Sequence, residues 1–311
     1  MEVAGLADGV RRKVAREMGA LLEGLDQPRL DIPQWLWSSW ATMGPKVPRA
    51  IATGLSHEAP LDITLRPGVA VPEGGVLLPN GSVRFPAGTR VTELPGYEQG
   101  DFWVQDAAAT LPARLLGARE GEHVADLCAA PGGKTAQLAL TGATVTAVEN
   151  NPARMPRLLE NISRLGLTAQ AIQADATSWQ PPAPLDAVLL DAPCSATGTA
   201  RRHPDVLWVK RPRDLAGLAA TQDRLLAAAR DMLRPGGRLV YAVCSLQEEE
   251  GPARARAAEA MGLEPMPFTE EELAFLPEAR TREGWLRTHP GLWADKGGMD
   301  GFFAARFTRK G

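Results

Sequence analysis

Two cysteines follow strand-like apolar runs of the chain. Cys194 comes shortly after the run 186–190, and Cys244 comes directly after the run 238–243. Most lone cysteines are inert core residues, and that interpretation stays open for each of the two taken singly. Because the carboxyl ends of parallel strands meet at one edge of a sheet, where open α/β folds bind ligands, we expect both thiols to face the same crevice.

The residues after Cys244 suggest why its thiol could be reactive. Ser245 and Glu248 have the spacing of a capping box for a helix predicted over Gln247–Met261. Cys244 would then lie just before a helix N-terminus, whose partial positive charge favours a thiolate.

A glycine-rich turn joins a predicted strand to a predicted helix over residues 124–135. Glycines there allow the backbone to approach a nucleotide closely. The end of the turn, Gly133-Lys134-Thr135, also resembles a phosphate-binding P-loop, which is a competing interpretation. That loop requires glycine where this chain has Cys128, and Pro131 removes one backbone N–H from the phosphate nest. The turn therefore favours a ligand without a triphosphate, and an ATP-hydrolysing protein is the less favoured alternative.

Acidic residues follow successive predicted strands. Glu149 lies about 20 residues beyond Asp126, where nucleoside-binding α/β proteins place a carboxylate on the ribose hydroxyls. Asp175 and Asp191 follow the next two strands. A solvated loop or a helix cap would explain any one of them. Together they suit a cationic nucleoside, and S-adenosylmethionine, with an ammonium and a sulfonium, is such a cofactor.

A thiolate beside a methyl donor has a specific chemical use. Carbon 5 of cytosine is a poor nucleophile until a thiolate adds to carbon 6, and such covalent activation divides one difficult step into easier ones. After methyl transfer, the proton on carbon 5 must be removed before the thiolate can leave. A second cysteine nearby can assist this release.

Five sequence motifs stand out along the chain: GYEQGDFWVQDAAA (96–109), DLCAAPGGKT (126–135), DAPCSATGTARRHPD (191–205), CSLQEEEG (244–251) and DGFFAARF (300–307). They resemble the motifs of RNA cytosine-5 methyltransferases of the Nol/Nop/Sun family, and the resemblance covers about residues 60–311. Bacterial Sun-type members usually carry an N-terminal antitermination-factor-like domain, and 311 residues are expected to be too few to include it. The stretch between Arg66 and Pro95 is also short for the family. These departures affect substrate choice rather than chemistry.

The resemblance implies roles for individual residues. Cys244 would be the nucleophile, Cys194 would assist product release, and Lys134 and Asp191 would meet the target cytosine. The residues implied to hold S-adenosylmethionine are Cys128, Ala129, Ala130, Pro131, Gly132, Gly133, Lys134, Glu149, Asp175 and Asp191. The resemblance implies an RNA substrate, with ribosomal RNA expected. Transfer RNA, or a catalytically silent RNA-binding module of the same fold, remains the alternative.

The elements that must position these residues follow from hydrophobic periodicity. Strand-like runs at 123–127, 144–148, 169–173, 186–190 and 238–243 alternate with helix-like runs at 134–140, 152–165, 213–233 and 247–261. This pattern predicts an α/β fold with a doubly wound, mostly parallel, Rossmann-like methyltransferase sheet. Before it we expect a helical segment over 1–58, which contains a helix from Val3 to Leu25 and core tryptophans near Trp40. A small β-rich RNA-binding subdomain over 59–102 precedes the methyltransferase domain of 103–311, which is predicted to begin with a helix from Val104 to Leu116.

Composition limits the remaining options. The 311 residues are 44% hydrophobic and carry a net charge of −3, so RNA must be held by a local patch rather than a global positive field. The patch is predicted after Cys194, where five basic residues outnumber the two acidic residues Asp205 and Asp214. The basic residues are Arg201, Arg202, Lys210, Arg211 and Arg213.

The chain has three cysteines without zinc-like spacing, and it has no apolar span or signal-peptide core. These features predict a cytoplasmic protein without metal or membrane contact. We expect a monomer.

Overall fold

The fold is described for residues 2–311 of a computed structural model, with side chains described for residues 8–20 and 22–311. The helices are α1 (Glu2–Leu22), α2 (Gln27–Leu30), α3 (Gln34–Trp40), α4 (Val47–Leu55), α5 (Leu111–Leu116), α6 (Gly133–Ala139), α7 (Met155–Arg164), α8 (Val206–Val209), α9 (Pro212–Met232) and α10 (Pro252–Ala260). The strands are β1 (Leu61–Leu65), β2 (Val76–Leu77), β3 (Val83–Phe85), β4 (Phe102–Val104), β5 (His123–Leu127), β6 (Thr144–Glu149), β7 (Ala169–Gln173), β8 (Leu185–Asp191), β9 (Leu233–Val243), β10 (Leu263–Pro265), β11 (Leu286–Arg287) and β12 (Phe303–Arg309).

The larger sheet has the strand order β10-β12-β9-β8-β5-β6-β7, with β11 paired to β12. The strands from β9 to β7 are parallel, and β12 is antiparallel to β9. The order reverses between β5 and β8, which is the point where open α/β sheets bind ligands. The predicted doubly wound, mostly parallel sheet is therefore confirmed, with the antiparallel β10, β11 and β12 as additions that the periodicity did not predict.

Helices cover both faces of this sheet. Alternate residues of β8 belong to different core clusters: Leu189 packs with Leu111 and Leu116 of α5, while Leu190 packs with Leu226 of α9. All five of these side chains are at most 1% exposed. Burial on both faces explains why the central strands read as continuous apolar runs in the sequence.

A smaller antiparallel sheet, with the order β2-β3-β1-β4, forms the β-rich subdomain. The helix predicted from Val104 to Leu116 is wrong over its first half. Residues 102–104 instead pair with β1, placing Trp103 opposite Thr64, and α5 begins only at Leu111. The boundary predicted at residue 102 falls inside β4, and α5 connects this strand to β5 of the larger sheet.

The N-terminal segment contains the predicted helix as α1. Its described apolar side chains are solvent-exposed, from 38% for Leu22 to 55% for Val10. The side chains of Val3, Leu6 and Leu21, which belong to the predicted apolar face, lie outside the described residues. Trp40, in contrast, is fully buried with Leu36, Ile51, Leu207 and Leu246 as predicted for a core tryptophan, so α3 and α4 pack against the loops that follow β8 and β9. Within the described chain, no helix is both long enough and apolar enough to cross a bilayer.

Candidate active site

Two adjacent cavities open at the carboxyl ends of the parallel strands. The first, called here the thiol cavity, has a volume of about 340 Å³ and is lined by Cys128, Lys134, Asp191, Cys244 and Phe302, among others. The second, called here the carboxylate cavity, measures about 430 Å³, and its lining includes Cys128, Glu149, Arg154 and Asp175. Because Cys128 lines both, the two cavities are neighbours. The acids and the cysteine predicted for this sheet edge are thereby brought together.

The glycine turn shapes the wall between the cavities. Gly132 has a φ of 102°, a conformation that favours glycine, and a Cβ there would approach Leu158 Cδ1 to 2.8 Å. The turn is tied to α7 by Asn161 Nδ2, which donates to Pro131 O at 2.9 Å. Burial, together with the Asp191 and Glu149 carboxylates, raises the pKa of the Cys128 thiol, so Cys128 stays protonated and serves as packing.

Glu149 is anchored from two sides. Its Oε2 accepts from Ala130 N at 3.2 Å and its Oε1 accepts from Asn151 N at 2.8 Å, while Arg154 Nη1 lies 3.3 Å from Oε2. The residue is only 3% exposed, yet it lines the carboxylate cavity. Oε1 keeps a second acceptor position, so Glu149 can still receive a hydrogen bond from a ligand.

Asp175 lies in the turn after β7 and lines the carboxylate cavity. Thr177 donates to Asp175 Oδ1 through its backbone N at 2.9 Å and through its Oγ1 at 2.8 Å. These hydrogen bonds lower the pKa of Asp175. The carboxylate is therefore ionised and held in one orientation beside the cavity.

Lys134 and Asp191 form an ion pair at the wall of the thiol cavity, with Lys134 Nζ 2.7 Å from Asp191 Oδ2. Burial by itself lowers the pKa of Lys134, but the Asp191 carboxylate outweighs it and the pKa is raised. The ammonium also lies 5.2 Å from the centroid of the Phe302 ring. Lys134 therefore presents a permanent positive charge in the same cavity as Cys244.

The two cysteines lie close together because β8 and β9, the strands that precede them, are parallel neighbours in the sheet. Cys194 Sγ lies 3.5 Å from Cys244 Sγ, and of the two residues it is Cys244 that lines the thiol cavity. A hydrogen bond to Cys244, and then burial, raise the pKa of Cys194. Cys194 thus keeps its proton, and its S–H group lies within hydrogen-bonding distance of the Cys244 sulfur.

The capping box predicted from Ser245 and Glu248 is wrong. Helix α10 begins at Pro252 rather than Gln247, so no helix N-terminus adjoins Cys244. Ser245 Oγ instead accepts from Gln247 N at 3.1 Å and donates to Glu250 Oε2 at 2.5 Å, while Glu248 pairs with Arg256 at the surface. The positively charged group that shares the cavity with Cys244 is Lys134 rather than a helix N-terminus.

Glu250 is a functional residue that the sequence analysis missed. It is fully buried, and Ser195 N, Ser195 Oγ and Ser245 Oγ donate to its carboxylate at 2.8, 2.5 and 2.5 Å. Ser195 and Ser245 directly follow the two cysteines, so one carboxylate fixes both cysteine loops. The only signal in the sequence is the recurrence of a Cys-Ser pair, which does not identify its common partner.

Arg201 and Arg202 do not form the exposed patch predicted for them. Arg202 pairs with Asp106 at 2.8 Å and with Asp300 at 3.3 Å, and it lines the thiol cavity. Arg201 is only 7% exposed, because the loop folds inward against the β-rich subdomain and the segment after β11. Lys210, Arg211 and Arg213 remain at the surface.

Asp106, Arg202 and Asp300 therefore form a charge cluster that lines one part of the thiol cavity. The Arg202 and Arg201 charges outweigh burial and hold the pKa of Asp106 below its ordinary value. For Asp300, burial and the nearby Asp106 raise the pKa to about 7. Gly198 lies in the same region, where its backbone N donates to Cys244 O at 3.0 Å and its O accepts from Gly301 N at 2.8 Å. A Cβ at Gly198 would lie 2.0 Å from Gly301 O, so only glycine fits where the three loops meet.

Metal ligation has no support in the described residues, which contain no cluster of three or more His, Cys, Asp or Glu side chains arranged to hold an ion.

The chain is similar to known methyltransferases in sequence and in structure. A family model described as 16S rRNA methyltransferase RsmB/F matches residues 113–308. Ribosomal RNA small subunit methyltransferase B from Erwinia tasmaniensis is 34% identical over 91% of this chain and 72% of its own length. The protein of the same name from Cronobacter sakazakii is 35% identical over 100% of this chain and 74% of its own length. Among solved structures, a methyltransferase homologue from Pyrococcus horikoshii has a TM-score of 0.72 at 23% identity, covering 90% of this chain and 96% of that one.

Proposed function

Since the chain belongs to the 16S rRNA methyltransferase RsmB/F family, we propose that it methylates carbon 5 of a cytosine in ribosomal RNA through a covalent bond from Cys244 to carbon 6. Membership confirms the family resemblance read from the motifs, and with it an S-adenosylmethionine-dependent methyltransferase that acts on RNA. The cytosine target and the cysteine chemistry are the proposal. The observation that carries it is the pair of sulfur atoms 3.5 Å apart, one of which lines a cavity beside a permanent ammonium.

S-adenosylmethionine is the cofactor, and the residues at the two cavities fit it. Glu149 and Asp175 line the carboxylate cavity, where Glu149 Oε1 has an acceptor position free for a ribose hydroxyl. Asp191 and the turn 128–134 extend toward the thiol cavity and would hold the cationic methionine end. Bound there, the cofactor supplies an electrophilic methyl group.

Cys244 carries out the first covalent step in this scheme. Its thiol first loses its proton to solvent. The sulfur then forms a bond to carbon 6 of the cytosine, and the electron pair of the carbon 5–carbon 6 double bond shifts onto carbon 5, which becomes nucleophilic. The Lys134 ammonium in the same cavity stabilises the attacking thiolate electrostatically. The base must be flipped out of any stack to reach a thiol in a cavity, at a cost of a few kcal/mol that is smallest in single-stranded or looped RNA.

Lys134 and Asp191 orient the base. The pairing edge of cytosine offers donors at its N4 amino group and acceptors at N3 and O2, and the ion pair presents one donor group and one acceptor group side by side. A base that fills the thiol cavity would therefore be read by complementary charges. These contacts also hold carbon 6 toward Cys244.

Release requires the covalent bond to break. Once carbon 5 carries the methyl group, its proton leaves to solvent, the double bond re-forms and the Cys244 sulfur departs as a thiolate. Cys194 retains its proton and lies 3.5 Å from that sulfur, so its S–H can donate to the departing thiolate. Cys194 thus assists product release.

A direct test uses S-adenosylmethionine with a labelled methyl group and 16S ribosomal RNA from a strain that lacks the protein. The expected product after digestion to nucleosides is labelled 5-methylcytidine, located by bisulfite sequencing, with none from Cys244→Ala. Label on another atom would overturn the cytosine-5 assignment. Label only in transfer RNA would overturn the ribosomal substrate, and RNA binding without any transfer would indicate a catalytically silent module.

A further inference from the structure

A groove on the surface beside the catalytic loops combines tryptophan with positive charge. We propose that it binds single-stranded RNA flanking the target cytosine, with one base stacked on Trp208 and neighbouring phosphates held by Lys210, Arg211 and Arg213. This inference rests on the proposed function, because it names where the RNA substrate runs outside the active site. The groove has a volume of about 480 Å³, and Trp35 from α3 forms part of its opposite side. We call it the tryptophan groove.

Trp208 is displayed rather than buried. It is 60% exposed, whereas Trp40 and Trp103 are at most 4% exposed. Its neighbour Leu207 is 5% exposed and packs in the same core cluster as Leu36, which fixes the short helix α8 to the body of the protein. The indole is therefore held outward on a rigid support, the arrangement that a stacking platform for an unpaired base requires.

The cations of the groove are available to a ligand. Within the part of the chain whose side chains are described, Lys210, Arg211 and Arg213 make no salt bridge, in contrast to Arg202 nearby. The adjacent Asp214 carboxylate accepts from Arg211 N at 2.9 Å, so it is used in starting α9. On a protein with net charge −3, three unpaired cations beside an exposed indole form a local site for a phosphate chain carrying bases.

The groove is continuous with the active site along the chain. Arg202 lines the thiol cavity and Leu207 lines the tryptophan groove. Five residues of fully extended chain span at most about 18 Å, and this stretch is folded, so the Cα atoms of Arg202 and Leu207 are closer together than that. A strand whose cytosine occupies the thiol cavity can therefore place a flanking nucleotide on Trp208.

The test measures binding of a fluorescein-labelled, twelve-nucleotide oligouridine by fluorescence anisotropy at several salt concentrations, using the full chain. Trp208→Ala should weaken binding roughly 5- to 150-fold, and Trp208→Phe should restore much of the affinity because it keeps an aromatic face. Arg211→Ala with Arg213→Ala should flatten the plot of log affinity against log salt by about 1.4, since each phosphate contact to a single strand contributes about 0.7. Val209→Ala and Arg119→Ala with Arg282→Ala are matched controls on exposed residues outside the groove and should match the wild type.

Two results would overturn the inference. Wild-type affinity and salt slope in the Trp208 and arginine variants would show that RNA does not use the groove, even if the wild type methylates RNA. Equal displacement of the oligonucleotide by polyglutamate would assign the groove to an acidic protein segment. Failure of the proposed function is separate, because it shows as absence of methyl transfer by the wild type while the groove variants still lose oligonucleotide affinity.

Discussion

The sulfur atoms of Cys194 and Cys244 lie 3.5 Å apart although the residues are 50 positions apart in the chain. Parallel pairing of β8 with β9 produces this meeting, since Asp191 pairs with Ala242 and the loops that follow leave the sheet side by side. Only one of the two sulfurs can face a base in the thiol cavity, and that is Cys244. In the proposed mechanism the two thiols have distinct roles, which substitution can separate.

We expect Cys244→Ala and Cys194→Ala to fail at opposite ends of the cycle. Without Cys244 there is no addition to carbon 6, so neither methyl transfer nor a covalent adduct should form. Without Cys194, addition and methylation continue while release slows, so protein should accumulate on methylated RNA. The adduct is visible as a band of higher mass in a denaturing gel.

The double substitution of both cysteines is the control, and it should give no adduct. An adduct with Cys244→Ala that disappears with Cys194→Ala would reverse the roles. Two merely structural cysteines would instead give similar modest destabilisation and no adduct from either variant.

Glu149→Ala should weaken binding of S-adenosylhomocysteine by about 1–3 kcal/mol, or roughly 5- to 150-fold, the usual effect of leaving a buried hydrogen-bonding partner unsatisfied. Isothermal titration calorimetry measures this directly. Glu160→Ala removes an exposed carboxylate of α7 and should leave the affinity unchanged. Wild-type affinity in Glu149→Ala would mean that the carboxylate only braces Ala130 and Asn151 and does not meet the ribose.

Glu250→Ala should damage both cysteine loops together. It removes the acceptor of Ser195 N, Ser195 Oγ and Ser245 Oγ in a fully buried place, and each unsatisfied donor costs about 1–3 kcal/mol. We expect the free energy of unfolding to fall by at least about 2 kcal/mol, and the rate at which iodoacetamide alkylates Cys244 to change. Glu250→Gln should recover part of both.

Glu248→Ala is the matched control for Glu250, since its surface ion pair with Arg256 is expected to contribute less than about 1 kcal/mol. If Glu250→Ala lowered stability while the turnover number and the alkylation rate of Cys244 stayed at wild-type values, Glu250 would be a structural residue without a positioning role.

The sequence predicts those parts of the fold that depend on local patterns. The central strands β5 and β8 appear as apolar runs because both of their faces are buried. The turn is recognisable at Gly132 because its positive φ favours glycine. The antiparallel β12 was not predicted as a strand. It has no such local signature beyond the motif that contains it, and its place is decided by pairing with β9.

The errors at the site share one physical cause, which is that distant partners decide the role of a side chain. Arg202 has other basic residues near it in the sequence, but the acceptors of its hydrogen bonds, Asp106 and Asp300, are 96 and 98 positions away. Ser245 has a glutamate at capping distance, yet its hydroxyl bonds to Glu250 instead. Local spacing identifies the types of residue at the site, while tertiary contacts choose among them.

Arg202→Ala should destabilise the protein by about 3–5 kcal/mol, because it leaves the Asp106 and Asp300 carboxylates buried without their partner. Urea unfolding measures the change. Arg211→Ala, on the exposed part of the same basic segment, should stay within about 0.5 kcal/mol of the wild type. Wild-type stability of Arg202→Ala together with a flatter salt dependence of RNA binding would instead restore the phosphate contact predicted from the sequence.

Asp126 provides a prediction for the pH dependence of stability. It is fully buried, with Oδ2 accepting from Thr135 Oγ1 at 2.6 Å and Oδ1 without a hydrogen-bond partner among the described residues. Burial raises its pKa from the ordinary 3.8 to about 7. The folded protein therefore binds this proton more tightly than the unfolded chain does, and the stabilisation is complete below pH 3.8 and lost as the pH rises to about 7.

Asp126→Asn keeps the size of the side chain and can still bond to Thr135, but it does not titrate. In the cofactor-free protein, the decline in the free energy of unfolding between about pH 4 and pH 7 should therefore be smaller than in the wild type. Some decline should remain, because the pKa of Asp300 is also raised to about 7. Asp186→Asn is the control: a hydrogen bond from Arg234 lowers the pKa of Asp186, so its contribution is lost only as the pH falls below about 4. Urea unfolding at intervals across this range decides the matter, and identical slopes for Asp126→Asn and the wild type would show that Asp126 is already ionised throughout.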